Sequence, residues 1–368
     1  MTRWRAWLIN GFLVLGGLAV GLALTEGGIR LISPQPTGLS FQDEYGLAMH
    51  WPGLVRYLPQ YGDTVSFNSA GMRDYEHSIQ KSDGTFRILI LGDSFMEALQ
   101  VPFEASLPNL LERGLQQRTG HRVEVINAGV SGWGTDDELR YLTSYGLKWR
   151  PDLVLVAMTL HNDISDNLRE EWHTIRGGAL IEQIRPRTSF LPYQIVRLKG
   201  FLATRFQLYQ LWRKVGHGRE IRQAGRSLDA HIVDLFREPV PVGITRGFEL
   251  TDLLLERVQA VATAGGGRVA LVLLPLRVQV SDTAFAAFAR SADLRADTLT
   301  LDKPQRTVSR TANRLGIPVI DLLPVFKKWN ADSGRDLFLE WEGHWNETGH
   351  RVAAAAVTSG LIAAGVLR

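Results

Sequence analysis

Five short apolar runs punctuate the chain, at 88–91, 123–126, 153–157, 269–274 and 318–320. They lack the polar alternation of a strand with one wet face, so each predicts a strand buried on both faces, the habit of parallel sheets. Segments of helical length lie between them, at 107–117, 137–145, 249–264 and 305–315. Parallel strands need crossovers of that size. The alanine-rich stretch 349–367 predicts a closing helix. The order predicts a doubly wound α/β sandwich.

Residues 7–24 follow a different pattern: apolar all round, with Asn10 the only strongly polar member. That length just suffices to cross a hydrocarbon core. Arg3 and Arg5 precede it and predict a cytoplasmic N-terminus. The run is long for a signal peptide, so an uncleaved anchor at 1–24 is favoured over cleavage near Gly21-Leu22-Ala23. Residues 25–85 read as a linker and lead-in, with turn chemistry at 68–74, and 86–368 as the main α/β domain. Within it, 169–247 breaks the α/β rhythm with aromatic and basic helical segments such as 202–215. It reads as an insertion, serving either as a lid or docking surface or as structural elaboration.

Composition narrows the chemistry. A net charge of +3 with scattered basic residues gives no case for nucleic acid, and the basic cluster between Arg197 and Arg226 reads as the wet face of helices. The chain has no cysteine, which excludes disulfides, thiolate catalysis and cysteine-based zinc sites.

Four polar blocks remain, three of them at predicted strand ends. They are Gly92-Asp93-Ser94-Phe95, Asn127 to Gly134, His161-Asn162-Asp163 and Glu342-Gly343-His344. The carboxyl ends of parallel strands are where open α/β sheets gather reactive groups. Together they suggest nucleophilic acyl transfer: Ser94 as nucleophile, His344 as base, and Ser94, Gly132 and Asn162 as oxyanion donors. Glu342 is a candidate to orient His344, with Glu340 or a backbone carbonyl as the alternatives. Trp133, Trp341 and Trp345 flank the blocks and read either as a stacking platform for a sugar or as core. His350 reads as a helix N-terminal residue and Asp163 as a brace; His161 either faces the site or packs.

From about Phe86 onward the blocks resemble the SGNH/GDSL hydrolase superfamily. Phe95 replaces the commoner leucine, His161 stands where glycine is usual, and Glu342 where aspartate is usual. The resemblance implies a flavodoxin-like three-layer α/β/α sandwich with a five-stranded parallel sheet, here preceded by one transmembrane helix. It also implies esterase chemistry with no metal and no cofactor. The expected substrate is an O-acyl ester, acetyl above all, on a cell-envelope glycan. The expected location is a bacterial inner membrane, single-pass, with the catalytic domain periplasmic. The alternatives are an O-acetyltransferase of exported polysaccharide that draws on a membrane acyl-donor partner, and a non-catalytic glycan-binding protein.

Overall fold

The computed structural model describes residues 3–35, 37–183, 188–215, 233–291, 299–340 and 342–367. Part of the basic cluster and of the insertion, and Trp341, lie outside the described residues. The chain divides into two compact units. One comprises Met1–Gly46 with Arg187–Ser227, the other Leu47–Pro186 with Leu228–Arg368.

The larger unit is built on five parallel strands: β1 (Thr85–Gly92), β2 (Arg122–Asn127), β3 (Leu153–Thr159), β4 (Arg268–Leu274) and β5 (Val319–Asp321). Each overlaps an apolar run of the sequence. Their spatial order is β2-β1-β3-β4-β5. The chain therefore steps one way from β1 to β2, then reverses to β3. Right-handed crossovers convert that reversal into helices on both faces. On one face α1 (Leu107–Thr119) packs with α5 (Glu347–Ala363). On the other α3 (Val242–Ala264) packs with α2 (Thr135–Ser144) and α4 (Lys303–Leu315).

Alternation along the strands feeds both layers. Ile88, Ile90, Val125, Leu155 and Val272 pack in the core with Leu111, Leu115 and Val357. The intervening Leu89, Leu91, Val154 and Val156 are fully buried too. Burying such side chains is worth about 1.5–3 kcal/mol each, which is why the strands read as unbroken apolar runs. The three-layer sandwich with a five-stranded parallel sheet is thus the fold of this unit.

The reversal places the β1–β3 seam at the switch point, where loops diverge and a crevice opens above the strand ends. The opposite end of β1 is structural. Arg87, 1% exposed, pairs with Glu124 at 2.6 Å and donates to the carbonyls of Trp149 (2.7 Å) and Ser78 (2.9 Å).

In the smaller unit the N-terminal helix runs Arg3–Ile32, past the apolar stretch, and its membrane-length window has none of its surface buried. It is long and apolar enough to span a membrane or to serve as a signal sequence. The insertion contributes a helix at Phe190–Arg205 and a second helical run at 207–215, divided at Phe206.

Arg87→Met should cost about 3 kcal/mol of unfolding free energy, because Glu124 and two carbonyls lose a buried partner. Urea titration of the full chain in detergent reads that loss. A change below about 1 kcal/mol would show that the network is already solvated.

Candidate active site

Ser94 sits where β1 turns into the short helix Ser94–Glu97. Asp93 is the N-cap, its carboxylate accepting the Phe95 N–H at 3.0 Å. As the first helical residue, Ser94 has a backbone N–H with no partner inside the helix. The tight turn tolerates no side chain before it: a Cβ on Gly92 would lie 2.5 Å from Met96 Cγ.

The last block closes onto this serine from 250 residues away. His344 Nε2 lies 2.7 Å from Ser94 Oγ. The histidine is carried on a tight hairpin in which Leu339 N–H donates to the His344 carbonyl (2.7 Å) and Gly343 N–H to the Leu339 carbonyl (2.8 Å). Gly343 adopts φ +85°, a conformation that costs other residues strain. This bend brings Glu342 Oε1 to 3.4 Å from His344 Nδ1, within ion-pair reach but outside hydrogen-bond geometry. Glu342 is held from the other side, by Tyr61 Oη (2.6 Å) and Gln100 Nε2 (3.0 Å). Glu340 is exposed.

The second and third blocks supply donors. Gly132 is the third residue of a turn closed by Trp133 N–H to the Val130 carbonyl (3.2 Å), with φ +84°. Glu97 fixes that turn by accepting both the Ser131 N–H (2.8 Å) and the Ser131 hydroxyl. Glu97 in turn pairs with His50 at 2.9 Å. These hydrogen bonds and the histidine hold its carboxyl below the usual range despite complete burial. Asn162 donates one amide hydrogen to Asp93 Oδ2 (2.8 Å), leaving the second hydrogen of the same nitrogen for another acceptor.

Asp93 therefore joins the first and third blocks, and Thr159 adds a third donor at 3.0 Å. Below it lie two more buried acids. Asp163 accepts from Thr135 at 2.8 Å, while Glu138, 1% exposed, finds no hydrogen-bond partner for either oxygen among the described residues. Burial pushes all three carboxyls up, and mutual repulsion pushes Glu138 and Asp163 further.

Ser94, His344 and Glu342 are thus brought together, with Gly132 on an adjoining turn and Asn162 in the helix Leu160–Asn167 that follows β3. The tryptophans are different. Trp133 is 1% exposed, donates to the Ala48 carbonyl (2.9 Å) and packs on Tyr141. Trp345 is fully buried against Phe95 and Phe326. Neither offers a ring face to a sugar; both are core, because each sits at the root of its loop rather than the tip. His350 lies in the first turn of α5, buried, and its Nδ1 accepts the Leu107 N–H at the start of α1 (3.2 Å). Burial, with the charges of Arg73 and His344, lowers its pKa to about 3. Burial and His344 likewise lower His161 to about 3, so a neutral ring adjoins the site. Asp163 bonds to Thr135 and so braces its block.

The sequence reading missed the lead-in. Tyr61 grips Glu342, His50 grips Glu97, and Arg73, 3% exposed, donates to the carbonyls of Glu97, Ala98 and Val101. Glu97 carried a signal: an acid three residues after the nucleophile, inside an otherwise apolar turn.

Comparison with known proteins follows the same blocks. Residues 90–252 match the GDSL-like lipase/acylhydrolase family, and residues 245–366 match the SGNH hydrolase-like domain of the acetyltransferase AlgX. An arylesterase from Vibrio mimicus is 38% identical over 77 residues, which is 21% of this chain and 38% of that relative. The chain thus aligns with well under half of that relative's length. Among solved structures, an acetyl-xylooligosaccharide esterase from Geobacillus shares 13% identity with a TM-score of 0.42, covering 75% of this chain and 94% of that one. An α/β hydrolase from the metagenome of Lake Arreo shares 17% at a TM-score of 0.43, covering 77% and 96%.

The unpaired Glu138 carboxyl makes a signed prediction. Its pKa is raised on folding, so below its unfolded value both states are protonated and it carries no penalty. As pH rises from there to the folded value, folding requires proton uptake and stability falls, by at most ~1.4 kcal/mol per pH unit. Glu138→Gln should unfold like the parent near pH 4 and become progressively more stable than it toward pH 8. Parallel urea titrations at the two pH values check this; equal stability at pH 8 would mean the carboxyl is solvated.

Proposed function

The chain belongs to the SGNH/GDSL hydrolases, and from that premise we propose that it is a membrane-anchored serine acyl-transfer enzyme acting on O-acyl esters. The observation that carries this reading is the 2.7 Å contact between Ser94 Oγ and His344 Nε2. That distance suits transfer of the hydroxyl proton as the oxygen attacks a carbonyl.

In this mechanism Ser94 Oγ bonds to the acyl carbon and its proton passes to His344 Nε2. The carbonyl electrons move onto oxygen, where the N–H groups of Ser94 and Gly132 and the free amide hydrogen of Asn162 receive the charge. Collapse breaks the ester bond, and His344 returns the proton to the departing alcohol. A second hydroxyl then gives its proton to His344 and attacks the acyl-serine, and Ser94 recovers its hydrogen. Glu342 stabilises the imidazolium through charge and orientation without taking the proton. If the second hydroxyl is water, the reaction is ester hydrolysis. If it belongs to a sugar, the reaction is acyl transfer.

The esterase reading takes the acetyl ester of an envelope glycan as substrate, with the helix Arg3–Ile32 retained as anchor, the N-terminus cytoplasmic and the catalytic unit periplasmic. Arg3 and Arg5 support that orientation. One observation favours the transferase as a second reading: the match of residues 245–366, which carry Glu342 and His344, to the SGNH hydrolase-like domain of an acetyltransferase.

The full chain in detergent should hydrolyse p-nitrophenyl acetate. Ser94→Ala and His344→Ala should each lose at least ~10³-fold in kcat, and Glu342→Gln roughly 10- to 100-fold. Activity surviving in folded Ser94→Ala would overturn the acyl-enzyme. Adding an oligosaccharide acceptor separates the two readings: acetylated sugar in place of free acetate selects the transferase.

A further inference from the structure

The smaller unit joins the N-terminal helix to the insertion through specific bonds near one end of that helix. Glu26 accepts the backbone N–H groups of Gln207 (3.0 Å) and Leu208 (2.9 Å). Arg30 donates to the Arg205 carbonyl at 2.8 Å. These bonds bracket Phe206, where one helical segment ends and the next begins. Two charged residues in an apolar helix are thereby spent on backbone groups of the insertion.

Their depth is informative. From Trp7 to Glu26 a helix rises about 28 Å, close to the ~30 Å of a hydrocarbon core. With Trp4 and Trp7 at one boundary, Glu26 and Arg30 fall at the other. Tyr209 and Trp212 belong to the attached segment, so aromatic side chains mark both boundaries, as interfacial belts do.

The segment also has the surface of an interfacial element. Leu191, Ile195 and Leu198 follow one another at helical spacing, all exposed, and Phe190 and Trp212 are 77% and 64% exposed. Arg197, Lys199, Arg213 and Lys214 intersperse positive charge. Between helix and segment lies a groove of about 930 Å³, walled by Ala19, Leu22 and Ala23 on one side and Phe206, Tyr209 and Trp212 on the other. In water this much exposed apolar surface is unfavourable.

We propose that Phe190–Arg205 with residues 207–215 is a second membrane-binding element, lying in the leaflet where the anchor emerges, with lipid acyl chains filling the groove. This rests on the anchor reading above. The occupant is lipid because the groove continues the unburied face of the anchor. The interspersed cations suit lipid phosphates, each worth about 1 kcal/mol at an anionic surface.

The absence of cysteine makes the test direct. Full-length Leu15→Cys, Leu198→Cys and Trp212→Cys, each carrying an environment-sensitive fluorophore, are reconstituted in phosphatidylethanolamine–phosphatidylglycerol vesicles. All three should show about twofold lower emission with brominated acyl chains and little quenching by iodide. Lipid quenching at Leu15 with iodide quenching at Leu198 and Trp212 would overturn the proposal and leave the anchor standing. Iodide quenching at all three would overturn both. Shielding of Leu198 and Trp212 from both quenchers would mean that protein, a second copy or another chain, occupies the groove, and would also overturn it.

Discussion

The site depends on one buried carboxylate. Asp93 follows the first strand, caps the turn that presents Ser94, and holds Thr159 at the end of the third strand and Asn162 in the helix after it. Ser94 and the Asn162 side chain are therefore positioned by a single group at the seam where the sheet order reverses. Removing that group would leave three donors searching for an acceptor in a place water reaches poorly.

This arrangement is costly. Burial raises the pKa values of Asp93, Glu138 and Asp163, and repulsion by neighbouring carboxylates raises Glu138 and Asp163 further. The opposite choice appears at Glu97, where His50 and Ser131 compensate burial and keep the carboxyl ionised. Glu97 is held charged by its partners, whereas Glu138, with no hydrogen-bond partner among the described residues, is pushed toward the neutral form. Perturbation of this kind is typical beneath reactive centres, where geometry is maintained against local stability.

Much of this was legible from the chain. Runs such as 88–91 and 153–157 are apolar because both faces are covered, so strand identity could be read directly. Three of the four blocks were visible because polar residues at the ends of such runs are conspicuous. The tryptophans stayed undecided, since a sequence shows that an aromatic adjoins a site but not whether it points inward. The lead-in was illegible for a related reason. Tyr61 and His50 act through contacts spanning 281 and 47 residues, which no local pattern encodes. The turn at Gly343 lay between these cases: residues two apart in an extended chain already point to one side, and the positive φ at Gly343 bends the backbone between Glu342 and His344.

That turn divides the catalytic group unevenly. Glu342 and His344 ride on one hairpin two residues apart, while His344 and Ser94 are joined across 250 residues of intervening chain. The first relation also leans on Tyr61 and Gln100, which hold Glu342 from outside the hairpin. The second is a tolerance between separately built parts. A shift of the hairpin is thus felt at two joints at once, where His344 meets Ser94 and where Tyr61 and Gln100 meet Glu342.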